Sequence, residues 1–276
     1  MIDRLRTRLS ALRAAKRCGL APYVTAGDGG MDTTLAVLRG LDRASVACIE
    51  LGLPFSDPIA DGPVLQAAAE RGIRAGASFD RVLELIERFR REPPAGEAPI
   101  VLMGYANPLL RRGWDASCSA LAEAGADGVL VADLPIEEGA PLAAAAERAG
   151  IAAIFFAAPT TGDERLAAAA RMSRGFLYAI GRLGVTGARA AIDPAQVAFL
   201  DRVRAASGEL PIAVGFGLST ADQVRAVAGH ADLAIVGSAM VDRIHRAFTA
   251  SGGDASAAAR AAESFARELT KGLETP

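Results

Sequence analysis

Lysine and histidine are almost absent from this chain: among its 276 residues, only Lys16, Lys271, His230 and His245 are of these two types. That scarcity removes most of the side chains with which enzymes form Schiff bases, hold zinc or move protons near neutral pH. Cysteine is little used as well. Cys18, Cys48 and Cys118 share no metal-type or redox-type spacing, and an odd count suits a reducing compartment in which small thiols serve as apolar filler. No apolar run approaches the ~18 residues that a membrane span needs; Ile151 to Pro159 is among the longest. An excess of one charge is also missing. The formal net charge is -2, and the 30 basic residues, almost all arginine, are scattered along helices rather than gathered into a patch, which argues against a nucleic-acid footprint. The Arg-rich start resembles a transit peptide in composition. Ile2, Leu5, Leu9 and Leu12 nevertheless recur at helical spacing and run into the first strand without a cleavable linker, so it reads as a structural helix in a cytoplasmic protein.

What is present is a regular alternation. Short β-branched or aromatic runs begin at Leu20, Val46, Ile100, Gly128, Ala152, Gly175, Pro211 and Asp232. Between them lie amphipathic stretches such as Thr33 to Leu41, Phe79 to Phe89, Leu142 to Ala149, Pro194 to Val203 and Ala221 to Val227, with apolar residues at i, i+3 and i+4. Strands apolar throughout are buried on both faces, as in a parallel sheet. Eight of them alternating with helices over about 250 residues predict a closed α/β architecture, a (β/α)8 TIM barrel. The expectation is one domain from 1 to 276, with an extra N-terminal helix and a last helix from Asp254 to Leu273. An open doubly wound sheet would want G-x-G-x-x-G after the first strand, and Gly27-Asp28-Gly29-Gly30 lacks that spacing. The Pro/Gly-rich stretch from Glu92 to Gly96 reads as an exposed loop rather than a linker.

Barrels of this kind carry their sites at the C-terminal ends of the strands. The second strand ends near Glu50 and feeds a proline-stiffened loop containing Asp57 and Asp61. Three carboxylates there could set an acid and a base around one substrate; they could equally be a strand-end ion-pair residue and two turn formers. Glycines follow three consecutive strands: Gly184 and Gly187, then Gly215 and Gly217 around Phe216, then Gly237 beside Ser238 at a helix start. Glycine lets backbone N–H groups approach an anion, and a helix N-terminus adds unpaired donors and partial positive charge, so a phosphorylated substrate is indicated. On this arrangement neither lysine reaches a strand end, and no His/Cys/Asp/Glu set has ligand spacing. Schiff-base and metal-dependent aldolases are disfavoured, leaving carboxylate acid/base chemistry with no metal.

The stretch IELGLPFSDPIADGP, from Ile49 to Pro63, resembles the signature loop of the tryptophan synthase alpha subunit family. PYVTAGD near the first strand, YANP from Tyr105, VADLPIEE from Val131, APTT from Ala158, GVTGAR from Gly184, GFGLS from Gly215 and VGSAMV from Val236 follow in the family's order. The resemblance implies a (β/α)8 barrel that cleaves indole-3-glycerol phosphate by a retro-aldol reaction into indole and glyceraldehyde 3-phosphate. It implies that Glu50 handles the proton transfers and that Asp61 bonds the indole N–H. Gly187, Phe216, Gly217, Gly237 and Ser238 match the phosphate cradle. Tyr178 matches a residue beside the catalytic Glu, Tyr23 lines the substrate site, and Thr186 belongs to a loop that closes over it. Gly29 stands where many members have proline, Tyr23 where phenylalanine is frequent, and Gly181-Arg182-Leu183 is an uncommon lead-in to that loop; Gly29 is expected to soften its own loop.

The resemblance further implies a partner, a beta subunit in an α2β2 tetramer, met by the loops carrying Phe55 to Ala60, Tyr105 to Leu109 and Leu134 to Glu138. Pyridoxal phosphate is expected only on that partner, and no cofactor on this chain. A free-standing lyase is not separated from a subunit by the sequence. A non-catalytic activating subunit would have no need of both Glu50 and Asp61, and an isomerase would want a strand-end His or Lys.

Overall fold

In the computed structural model, the described residues are 3–93, 95–181, 192–215 and 217–273. Nine parallel strands form one sheet: β1 (Gly19–Thr25), β2 (Ile49–Gly52), β3 (Ile100–Gly104), β4 (Gly128–Val131), β5 (Ala152–Ile154), β6 (Phe156–Ala157), β7 (Leu177–Ile180), β8 (Ile212–Gly215) and β9 (Leu233–Val236). The order β5-β4-β3-β2-β1-β9-β8-β7-β6 brings the two ends of the sheet to consecutive segments of chain. Only Phe155 separates β5 from β6, and its carbonyl accepts from the Tyr178 N–H at 3.0 Å. The nine segments are therefore the eight expected strands, the fifth of which pairs with β4 through its first half and with β7 through its second. The sheet is a barrel, nearly closed at this bend.

Alternation along each strand divides the core in two. Ala21 and Tyr23, Val101 and Met103, Ala152 and Ile154, and Leu233 and Ile235 point inward and pack together. Residues between them, such as Ile49, Leu51, Leu102, Val129 and Val214, pack outward against the helices. The N-terminal helix Asp3–Ala14 closes the N-terminal end of the barrel. Its Leu5 and Leu9 join the interior cluster, and a Cβ at Gly175 would come within 2.9 Å of Leu5. The C-terminal helix Ala255–Thr270 lies against Met31–Arg43, so closely that a Cβ at Gly40 would stand 2.6 Å from the Ala259 carbonyl. Alanines at 258, 259, 262 and 266 are buried in that helix, and small side chains are what allow the approach.

Helices Pro63–Arg74, Ala106–Leu110, Trp114–Ala124 and Asp163–Met172 were not singled out by periodicity. Each is short or alanine-rich with a weak apolar stripe, and the first begins on a proline, which presets φ at N1. Cys18, Cys48 and Cys118 are buried and unpaired; burial pushes the thiols up, to about 12 for Cys18 and about 11 for Cys118, which suits filler. Gly29 has φ 82, a value closed to proline. Its turn is tied down: Arg71 donates to both Asp28 carboxylate oxygens at 2.7 and 2.8 Å, and the Gly27 N–H donates to Thr34 Oγ1 at 2.9 Å. No helix among the described residues is long and apolar enough to cross a membrane.

Candidate active site

The C-terminal mouth of the barrel holds a cavity of about 640 Å³, a volume typical of small-molecule sites at roughly 300–1,000 Å³. Its walls include Leu65, Met103, Phe156, Ile180 and Ile235, an apolar slot into which two carboxylates project. Glu50 stands on β2 in register with Tyr23 of β1 and is only 7% exposed. Burial pushes its carboxyl up to about 8, and the nearby charge of Asp61 pushes the same way. Such an acid carries its proton at neutral pH and is a short step from releasing it.

Asp61 is half-buried on the loop after β2. Its N–H donates to the Pro58 carbonyl at 3.0 Å and its carbonyl accepts from Gln66 Nε2 at 2.9 Å, so the loop is folded on itself before Pro63 starts the next helix. Tyr105, just past β3, accepts from the Ala60 N–H at 3.1 Å and donates to the Asp61 carboxylate. Burial raises the Asp61 carboxyl, and this hydrogen bond opposes the shift. The Phe55 ring, 5.3 Å away, covers Tyr105.

Two more tyrosines cross the barrel, and each occupies a place that a glycine leaves free. A Cβ at Gly52 would collide with the Tyr23 hydroxyl; one at Gly215 would come within 2.7 Å of Tyr178. Burial, then the Glu50 charge, holds the Tyr178 phenol well above its usual range, so it stays neutral. Glycines and a helix start form another part of the cavity wall. Gly217 follows β8 with φ 75, and Gly237 precedes the helix Ser238–Ala250, whose first turn has no side-chain cap. By contrast, Thr220 and Gln223 close the start of the neighbouring helix Ala221–Ala228 with a capping box. The free N–H donors and dipole of the uncapped helix face the cavity that Gly217, Gly237 and Ser238 line.

A family model described as tryptophan synthase alpha chain matches residues 9–273. The chain belongs to that family. A tryptophan synthase alpha chain of Caulobacter vibrioides is 49% identical over 246 residues, covering 89% of this chain and 88% of the relative. One from Laribacter hongkongensis is 45% identical, covering 89% and 92%. Among solved structures, tryptophan synthase subunit alpha from Legionella pneumophila superposes with a TM-score of 0.88 at 33% identity, covering 98% of both chains. A tryptophan synthase complex from Pyrococcus furiosus gives 0.80 at 33% identity, covering 92% of this chain and 98% of the other.

One cavity is lined by Tyr23, Glu50, Asp61, Tyr178, Gly217, Gly237 and Ser238, seven of the residues that the sequence singles out. Thr186, Gly187 and Phe216 lie outside the described residues. Lys16 and Lys271 border clefts with Cys18, Gly19, Val46 and Asp232, at the N-terminal ends of β1, β2 and β9 and so at the far end of the barrel. Among the described residues no three His, Cys, Asp or Glu side chains gather as a metal site would require. Tyr105 and Gly52 are what sequence reasoning missed as site residues, and Gly215, singled out there for an anion, also makes room for Tyr178. Tyr105 sits one residue past a strand end, so the strand-end filter that found Glu50 applies to it; the two glycines reveal their purpose only once the opposing tyrosines are placed.

Proposed function

We propose that Glu50 and Asp61 carry out, with no bound cofactor, the cleavage of indole-3-glycerol phosphate into indole and glyceraldehyde 3-phosphate. The observation that carries this reading is their placement. A protonated acid and a second carboxylate share an apolar slot wide enough for an indole ring, and its wall includes an open helix N-terminus suited to phosphate. Glu50 gives its proton to indole C3, which turns the ring into an iminium electron sink. The resulting carboxylate takes the proton of the adjacent side-chain hydroxyl. The O–H electrons become the new carbonyl, the C–C bond breaks, and its electron pair restores the indole. Glu50 ends protonated, as it began. Asp61 accepts the ring N–H and stabilises the positive charge that develops on N1.

The phosphate assignment has a direct test. Gly217 is exposed, and a Cβ there meets nothing within 4 Å, so Asp fits at the cost of a left-handed backbone that Asn pays equally. Gly217→Asp should raise KM at least about ten-fold over Gly217→Asn, because only the former sets a negative charge against the phosphate. Equal KM values for the two would remove the phosphate from this corner.

The reading includes a beta subunit as partner in an α2β2 assembly, with pyridoxal phosphate held by that subunit. Ile59 is 81% exposed and Leu110 48% exposed on the loops and short helix around the mouth, an apolar surface that a partner would cover. The lysines that could hold the cofactor are at the other end of the barrel. The reaction is assigned to the cytoplasm. Indole release from indole-3-glycerol phosphate, measured with and without a beta subunit of the same source, tests the whole reading. Cleavage that rises sharply with the partner is the expected result; equal, fast cleavage without it identifies a free-standing lyase, and none in either case refutes the reaction.

A further inference from the structure

The end of the barrel opposite the mouth carries a cleft of about 530 Å³, within the roughly 300–1,000 Å³ of small-molecule sites. Its floor is buried and apolar, with Leu20 at the start of β1, Val46 and Ala47 ahead of β2, and Leu273. Its walls are cationic. Arg8 comes from the N-terminal helix, Arg17 from the link to β1, Arg267 from the last turn of the helix Ala255–Thr270 and Lys271 from just past it. No carboxylate lines this cleft among the described residues, whereas acid stands in the wall of the mouth cavity at Glu50 and in those of other clefts at Asp28, Asp201 and Asp242. Arg71 and Arg202, for comparison, are each held by an acid. Arg8, Arg17 and Lys271 form no ion pair and donate no side-chain hydrogen bond among the described residues. Arg267 shares Glu263 with Arg43 and donates to the Arg43 carbonyl at 2.7 Å, so one carboxylate serves two guanidiniums and a further positive charge is left over. A helix C-terminus attracts cations, and the Arg267 bond to the end of Met31–Arg43 is of that kind. The other three make no such bond, and their mutual repulsion is uncompensated.

We propose that this cleft binds a diphosphate group, free or as the tail of a nucleotide, at a site separate from the cavity at the mouth. Four cationic side chains around one concavity call for an anion with more charge than the roughly two units of a phosphate monoester. Guanidinium forks pair with phosphate oxygens two at a time, and three of the four groups are guanidiniums. A nucleic acid would instead want basic residues spread as a stripe along one face. Here they converge, and the neighbouring cleft that shares Arg17 is balanced by Asp201 and Asp232, the latter paired with Arg204 at 2.8 Å. The inference does not depend on the reaction proposed above.

Calorimetric titration of the full chain with pyrophosphate, ADP and AMP, at constant ionic strength and without divalent metal, tests this beside the double variant Arg17→Gln/Lys271→Gln and beside Gly217→Asp. Both side chains replaced in the double variant are exposed, so its fold should be kept. Pyrophosphate and ADP should bind saturably, and AMP at least about ten-fold more weakly; the tighter of the first two tells the free anion from the nucleotide. The double variant should weaken pyrophosphate binding at least about ten-fold, whereas Gly217→Asp, at the other end of the barrel, should change it less than about two-fold. Pyrophosphate at about ten times its Kd should raise the parent's thermal midpoint by about 2–4 °C and that of the double variant by about 1 °C or less. Without ligand the double variant should be at least as stable as the parent, because like charges are relieved. The inference is overturned if neither diphosphate binds saturably, if the double variant binds as the parent does, or if Gly217→Asp abolishes binding and so places the anion in the mouth cavity. A double variant several degrees less stable than the parent without ligand also overturns it, since the cations would then be serving the helix ends.

Discussion

Glu50→Gln is expected to reduce indole release by about a thousand-fold or more while leaving a folded chain that still binds substrate. The amide fills the same space beside Tyr23 and Tyr178 but can neither give a proton to C3 nor take one from the hydroxyl, so both halves of the reaction are lost together. Stability should move the other way. The Glu50 carboxyl is raised from 4.5 to about 8 on folding. Between those two values the native state holds a proton that the unfolded state has released, so stability is fully present below about 4.5 and declines as pH rises through about 8. Gln has no charge to bury. The variant should therefore match or exceed the parent in thermal midpoint, with the gap widening as pH rises from about 4.5 to about 8 and level beyond that. The same ionisation predicts that cleavage by the parent falls on the alkaline side, with the two carboxyls titrating as a pair. Near-parental turnover by Glu50→Gln, or a midpoint well below the parent's at pH 9, would contradict the assignment.

Asp127→Ala should produce the largest loss of stability. Asp127 is fully buried at the start of β4 and accepts from Arg4 Nε at 3.0 Å, from Arg90 at 2.8 Å and from the Ile100 N–H at 2.8 Å. Arg90 in turn donates to the carbonyls of Gly96, Ala98 and Gly125. The N-terminal helix, the helix Phe79–Arg91 and the starts of β3 and β4 are thereby fastened at one point beneath the barrel. Burial pushes the Asp127 carboxyl up and the Arg90 guanidinium down to about 10. Both shifts say that desolvation outweighs attraction, so the pair adds little compared with an apolar pair of the same shape. Breaking it is another matter, because Arg90 has a side chain only 10% exposed and would be left charged without its counter-ion. A loss of roughly 3–5 kcal/mol is expected for such a break. Urea unfolding checks it against Asp115→Ala, whose pair with Arg148 is exposed and whose removal should cost under about 1 kcal/mol. Similar costs for the two variants would refute the network's role.

Much of this was legible in the residues. Every run read as a strand in the sequence contains one in the structure, the run from Val46 starting three residues ahead of its strand, because strands buried on both faces must be apolar throughout and their signal does not depend on neighbours. The helices were read unevenly. Phe79–Arg91 and Met31–Arg43 show clear stripes, whereas Trp114–Ala124 buries Ser117, Cys118, Leu121 and Ala124 and Asp163–Met172 buries Leu166 and Ala169, patterns with little periodic contrast. Glu50 and Asp61 stand out in the sequence because a carboxylate at a strand end and another in a proline-stiffened loop are unusual, and the roles proposed for them come from the family resemblance.

Composition and order along the chain thus determined the barrel, its eightfold count and the end at which the cavity lies, because the burial that makes a parallel strand is written in consecutive residues. Tertiary structure alone decided which groups face each other. The register that sets Tyr23 beside Glu50, the room that Gly52 and Gly215 leave for two phenols, the Tyr105 bond to Asp61 and the burial that lifts Glu50 all depend on side chains from different strands. Their separations in space are fixed by closing the sheet, and no local pattern in the sequence encodes them.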